Sequence, residues 1–343
     1  MTNVLPSHPG EPPPGPAIAA AAEYQQALRG DRHRWWRPLL SIVLVVVLGG
    51  LSTFLIGLSV TLVGLFIGER DPIGWTSRVL GNLADPIGFL VTNLSLIALI
   101  PVTMLALWLA HVTPPRYIWS VLGRFRWGWF GRCVAVLIPL WLVLIGVSFV
   151  LGGAQVEARP SQWPVLMAIM LLTTPLQAAG EEVAFRGWAL LSIGSWFANR
   201  WLALVLPLVL SVAAFAAAHG SPDPWVVADL ALFAAVAGVL TWRTGGLEAA
   251  IALHAVNNVV AIGSSLLLGG FEQGFIDSET AGTPAQFAGS LVVQGVALVL
   301  LWRQGARAGL VRLTAGPPPG PRTGPTAAPP AIGGWPGAGT GSG

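Results

Sequence analysis

Lysine is missing from this chain. All eighteen basic residues among its 343 are arginine, and only 10% of positions carry any charge. Soluble globular domains carry about 25% charged residues, so that class is excluded. With 54% hydrophobic residues and a mean hydropathy of +0.70, the composition is that of a polytopic membrane protein. Cysteine is nearly absent as well. Cys133 stands alone, which excludes an intrachain disulfide and any cysteine-built metal cluster. The isoelectric point near 10.0 reflects arginine set against few acids. It does not point to nucleic acid, and no nucleic-acid partner is expected.

What is present is a series of long apolar runs. Residues 1–37 form a Pro/Gly/Ala-rich N-terminal part, expected to be a disordered cytoplasmic tail. A first span covers 38–68, too long and too late for a cleavable signal. A second covers 87–111, with Pro101 expected to kink it. The segment 112–132 mixes four Arg with Trp119, Trp127 and Trp129, a composition that suits the headgroup layer. A third span runs over 133–151, completing a part that comprises residues 38–162. The fourth begins at Trp163 and continues toward Trp196. Four more follow at about 201–219, 225–242, 247–268 and 287–302. The fold class is therefore all-α, with about eight transmembrane helices. Residues 163–303 form the candidate functional core, and 304–343 a second disordered Pro/Gly-rich tail. No internal repeat is evident, which argues against an inverted-repeat transporter.

Eight spans can be oriented by the positive-inside rule. An N-terminus in the cytoplasm puts Arg29, Arg32, Arg34 and Arg37 inside, with the four Arg of 112–132, Arg200, Arg243 and the four C-terminal Arg. Only Arg70, Arg78 and Arg159 fall outside. Both termini are expected in the cytoplasm and the protein in the plasma membrane. Tryptophans at span ends, such as Trp36, Trp163, Trp201 and Trp302, suit interfacial anchoring.

Three polar clusters interrupt these apolar helices. The first is Glu181, Glu182 and Arg186. A charge near mid-bilayer costs at least ~2.5–3.5 kcal/mol on insertion scales, so three together require a reason. Glu182 and Arg186, four apart, share a helix face and can pair. Glu181 points away, toward the side of Phe185 and Gln177, and is free to act. The second cluster is His219, four residues after Phe215. The third is His254 and Asn258, again four apart. Asp229, Glu248, Thr92, Asn93 and Ser95 are read as capping, pairing or packing residues.

The chemistry these groups suit is hydrolysis, which needs a base for water, a group to position it, and donors for the tetrahedral oxyanion. Glu181 is the candidate base, His219 the group that orients water, and His254 with Asn258 the oxyanion donors. The same atoms allow a second arrangement. Glu181, His219 and His254 make a catalytic Zn2+ set of two His and one Glu, with a position open for water. The His-Glu-x-x-His zinc pattern is absent. Residue chemistry alone leaves the metal-bound and metal-free arrangements both open.

Glu181-Glu182-x-x-x-Arg186, then Phe215-x-x-x-His219, then His254-x-x-x-Asn258 resemble the three ordered motifs of the CPBP family. These are the CAAX-protease and bacteriocin-processing intramembrane peptidases, also called Abi. The likeness covers about residues 163–260. Arg243-Thr-Gly-Gly-Leu, leading to His254, resembles the family's approach to its third motif. The resemblance implies motif helices lining an intramembrane cavity and proteolysis of a peptide or membrane-protein substrate. It also implies that Glu181 is the catalytic carboxylate, His219 its partner, and His254 with Asn258 the oxyanion side, while Glu182 and Arg186 hold the site together. The family is described as both metallo- and glutamate-type. A non-proteolytic binding or immunity protein and an ion- or proton-coupled transporter are the alternatives.

Simple span boundaries place Glu181 and His219 near opposite membrane faces. They can meet only if the fourth helix runs on toward Trp196. A site opening to the cytoplasm is the expectation.

Overall fold

The computed structural model describes residues 21–152 and 158–315. The expected disorder of 1–20 and 316–343 lies outside the described residues. Among the described residues the structure is helical, and eight helices are long and apolar enough to cross a membrane. The first is α1 (Arg37–Phe66), followed by the short α2 (Pro72–Leu80). The second span is broken into α3 (Pro86–Ile97) and α4 (Leu99–His111). The break falls at Ala98, one turn before Pro101. Proline has no N–H for the Ile97 carbonyl, and its ring crowds that position.

Helix α5 (Trp127–Gly152) starts within the aromatic and basic segment expected at the headgroups. Before it lies one turn of 3-10 helix, Pro115–Ile118. The fourth span is one continuous rod, Trp163–Gly194. It comprises α6 (Trp163–Glu182), a π-helical turn (Val183–Trp188) and α7 (Ala189–Gly194). Its 32 residues measure ~48 Å at 1.5 Å each, well beyond a hydrocarbon core of ~30 Å. The remaining spans are α8 (Arg200–Ala218), α9 (Pro224–Thr244), α10 (Glu248–Leu268) and α11 (Pro284–Arg307).

Burial is inverted relative to a soluble protein. Phe54, Phe66, Leu172 and Val292 are exposed on the outside, while Glu182, Arg186 and Glu248 are fully buried. Helix α6 sits at the centre, packed against α10 on one side and α3 on the other. Small residues allow the close approach. Gly180 brings its backbone against the carbonyl of Leu96, leaving no room for a Cβ. Ala249, Ala250 and Ala252 do the same for α10.

The expected N-terminal tail differs over residues 21–36. Tyr24, Ala27 and Leu28 are buried in a core with Ile118, Val183, Leu190 and Leu247. The Tyr24 hydroxyl donates to the Ile118 carbonyl. Burial, reinforced by the Glu248 charge, pushes that hydroxyl well above its usual pKa, so it stays a donor. Gln26 donates to the carbonyls of Phe197 and Ala198, and Arg29 to those of Ser195 and Trp196. These partners are the free carbonyls that follow α7, and the segment caps that helix end. The C-terminal side joins the same end, where Leu313 bridges Glu23 and residues 304–307 complete α11.

Glu248, read from the sequence as a local structural residue, is half of a buried ion pair with a distant segment. Both its oxygens accept from the Arg126 guanidinium, at 2.8 and 2.6 Å, and one also accepts from the Arg126 backbone N–H. This ties the 112–126 segment to the start of α10.

Candidate active site

The fourth span delivers the two carboxylates. Glu182 and Arg186 pair as their spacing requires, Arg186 Nη1 donating to Glu182 Oε1 at 3.0 Å with both side chains fully buried. The guanidinium carbon also lies 4.2 Å from the Phe215 ring centroid on α8. The π turn begins immediately after Glu182. Such insertions recur at functional sites, and nothing in the spacing of apolar residues signals this one.

Glu181 faces away from the pair, toward Gln177, as its position on the helix implies. Gln177 Nε2 donates to Glu181 Oε1 at 3.0 Å. Glu181 is not free on its other side, however. His254 on α10 stands between the two glutamates, its Nδ1 2.8 Å from Glu182 Oε1 and its Nε2 3.4 Å from Glu181 Oε2. The second contact is within ion-pair range but too poorly aligned to count as a hydrogen bond, and Glu181 Oε2 has no other partner.

The proton inventory follows from these partners. A carboxylate only accepts, so His254 Nδ1 carries its hydrogen toward Glu182. A neutral ring then presents a lone pair at Nε2. That nitrogen faces Glu181 Oε2 across 3.4 Å. Glu182 orients the ring and fixes its tautomer, a role usual for a carboxylate behind a working histidine.

His219 caps the end of α8. Its Nδ1 lies 2.8 Å from the Phe215 carbonyl, which makes Nδ1 the donor and leaves Nε2 as a lone pair in the neutral ring. It shares no hydrogen bond with Glu181. Both residues line one cavity of about 560 Å³, together with His254 and Asn258. They reach the same cavity because the fourth span continues to Gly194, and Ser211 of α8 bonds the Phe185 carbonyl. Phe215, one turn beyond Ser211, lies close to the level of Glu181.

Asn258 is part of a chain that residue spacing does not reveal. Trp141 Nε1 donates to Asn257 Oδ1 at 3.1 Å, and Asn257 Nδ2 to Asn258 Oδ1 at 3.1 Å. Asn258 Nδ2 then donates to Gln177 Oε1 at 3.2 Å, and Gln177 to Glu181. The line of donors runs from α5 through α10 to α6 and ends on the Glu181 carboxylate. Each amide orients the next, which keeps one Asn258 N–H available. Trp141 and Asn257 were not picked out by sequence reasoning, and Gln177 only as the side that Glu181 faces. A neighbouring pair of Asn in an apolar helix, with Gln four residues before Glu181, was the available signal.

Two residues given structural readings also line the cavity. Asp229 lies in its wall on α9, hydrogen-bonded to Ser290. Asn93 does hold helices together, bonding Thr173 at 2.7 Å and Thr174 at 3.2 Å, and it also borders the cavity.

As arranged, Glu181, His219 and His254 do not fit the zinc set. Among the described residues no three His, Cys, Asp or Glu side chains converge as a metal requires. Both nitrogens of His254 are directed at carboxylates, and Nδ1 of His219 is taken by its own helical turn.

Residues 161–260, which contain every one of these motif residues, match the family model described as type II CAAX prenyl endopeptidase Rce1-like. That segment is similar to an Rce1-like domain. This is a membrane protease family, in agreement with the CPBP resemblance of the three motifs. No curated protein and no solved structure matches the chain. The Rce1-like segment spans α6 through most of α10, the helices that supply Glu181, His219 and His254.

Proposed function

We propose that the protein is an intramembrane endopeptidase of the glutamate type, embedded in the plasma membrane with both termini cytoplasmic. The observation that carries this reading is His254 held between Glu181 and Glu182 at the wall of a cavity that His219 also lines. In this reading His254 carries a hydrogen on each ring nitrogen and Glu181 is the carboxylate that acts, next to a cavity large enough for a peptide segment and a water.

The steps follow from atoms available at the site. Glu181 Oε2 takes a proton from water as the water oxygen bonds to the scissile carbonyl carbon. His219 Nε2 accepts the water's other hydrogen and fixes its direction. The resulting oxyanion accepts from the free N–H of Asn258 and from protonated His254 Nε2. Preorganised donors of this kind are worth ~2.7–4 kcal/mol each when removed. Glu181 then returns its proton to the leaving nitrogen and the C–N bond breaks. Glu182 and Arg186 touch no substrate atom. They position His254.

The substrate is a peptide or membrane-protein segment. Purified protein in detergent should cleave a quenched fluorescent apolar peptide, and Glu181→Gln should abolish turnover while keeping fold and expression. Chelator treatment should leave the rate unchanged. Full activity of Glu181→Gln would remove the assignment. Loss on chelation with recovery on zinc addition would replace the glutamate mechanism with a metal one.

A further inference from the structure

We infer that the catalytic cavity opens to the non-cytoplasmic face of the membrane and admits its peptide substrate from that side. The inference takes the peptidase reading above and assigns its direction of entry.

The two ends of the bundle differ sharply in charge. One end gathers the segment before α1, the 112–126 segment, the α8 start, the α9 end and the α11 end. It holds Arg29, Arg32, Arg34, Arg37, Arg116, Arg124, Arg126, Arg200, Arg243, Arg307 and Arg312. The other end holds only Arg70, Arg78 of the short α2, and Arg159, with Glu69, Asp71, Asp85, Asp223, Asp277 and Glu279. Arginine bias of this size places the first end in the cytoplasm.

The cavity reaches toward the second end. Its walls there are Leu83 before α3, His219 at the α8 end, and Gly274, Phe275 and Ile276 beyond α10. Phe233, beside His254 at 5.0 Å between ring centroids, is nine residues from the start of α9, a depth of ~14 Å. The cytoplasmic end is closed. Below the glutamates, Val183, Leu190, Leu191, Leu247 and Ile251 are buried against Ile118, and Tyr24 is packed beneath them. The ordered 21–36 segment and the Arg126–Glu248 pair seal that layer. The expected cytoplasmic opening is therefore replaced by the opposite one.

Single cysteines read the direction of opening without reference to proteolysis. Cys133 is fully buried, so the native background is silent, and a Cys133→Ser background serves as a check. Ala218→Cys, Ile276→Cys, Ser278→Cys and Asp31→Cys are expressed in sealed right-side-out and inside-out vesicles and treated with a membrane-impermeant maleimide. Labelling of Ala218→Cys, Ile276→Cys and Ser278→Cys in right-side-out vesicles only, and of Asp31→Cys in inverted ones only, is the expected result. Cavity cysteines labelled from the Asp31 face overturn the inference. So does labelling of Ser278→Cys without either cavity position, which means a closed mouth. Ile276→Cys decides the matter should Ala218→Cys fail to fold. Glu181→Gln leaves the pattern unchanged, and a parent protein that labels this way yet cleaves no peptide refutes the peptidase reading alone.

Discussion

Replacing Arg186 with methionine tests whether the buried charges hold the site together. The guanidinium is fully buried, donates to Glu182 at 3.0 Å and lies 4.2 Å from the Phe215 ring. Its removal deletes one charged hydrogen bond, about 1.5–3 kcal/mol, and a desolvated cation–π contact, about 2 kcal/mol. Methionine keeps much of the apolar stem, so these two losses dominate. Together they reach the ~3–5 kcal/mol lost when a buried pair is deprived of one partner. The cost falls on Glu182, whose carboxylate then has only His254 Nδ1. Glu182→Gln approaches the same pair from the other side. The double variant should cost less than the sum of the singles, with a coupling of ~0.5–3 kcal/mol. Unfolding of the four proteins by SDS titration from mild detergent gives all the terms. Strict additivity, or a cost below about 1 kcal/mol for Arg186→Met, would refute the paired-charge account of this helix.

Gly180→Ala places a Cβ against the Leu96 carbonyl. Backbone must move, so a loss of ~1–3 kcal/mol and a lower thermal midpoint in detergent are expected, with activity falling because Glu181 is the next residue. Trp141→Phe deletes the first donor of the amide chain, and about 1 kcal/mol of stability goes with it. Turnover should drop further than stability accounts for, with KM little changed; unaltered turnover would show that the chain does not orient Glu181. Tyr24→Phe leaves the buried Ile118 carbonyl without its partner, at ~1–3 kcal/mol. Trypsin should then cut faster at Arg29, Arg32 and Arg34, and an unchanged cleavage rate would show that the 21–36 segment is held by other contacts.

Much of this molecule was legible without coordinates because a bilayer constrains sequence strongly. A helix must satisfy its own backbone in lipid, so the apolar runs near residues 38–68, 163–196 and 247–268 could only be spans. The pairing of Glu182 with Arg186 and the direction of Glu181 toward Gln177 follow from 100° per residue on one helix. The same local geometry put His254 and Asn258 on one face. Composition could not identify residues 21–36 as ordered, because their burial depends on carbonyls exposed at the far end of α7. Asp229 and Glu248 were given local roles for the same reason: the cavity wall and Arg126 that meet them come from distant segments.

The sequence by itself determined the class of structure, the number of spans, the arginine bias and the residues proposed to perform hydrolysis. Each is set by covalent order, helical repeat or transfer of side chains into lipid. Only the tertiary structure decided how those residues share the work. Packing of α10 against α6 inserts His254 between two carboxylates, with Glu182 at its Nδ1. The docked segment before α1 closes one end of the bundle while the α8 end and the chain after α10 leave the other open. Such relations arise between helices far apart in the chain, where spacing along the sequence carries no information about contact.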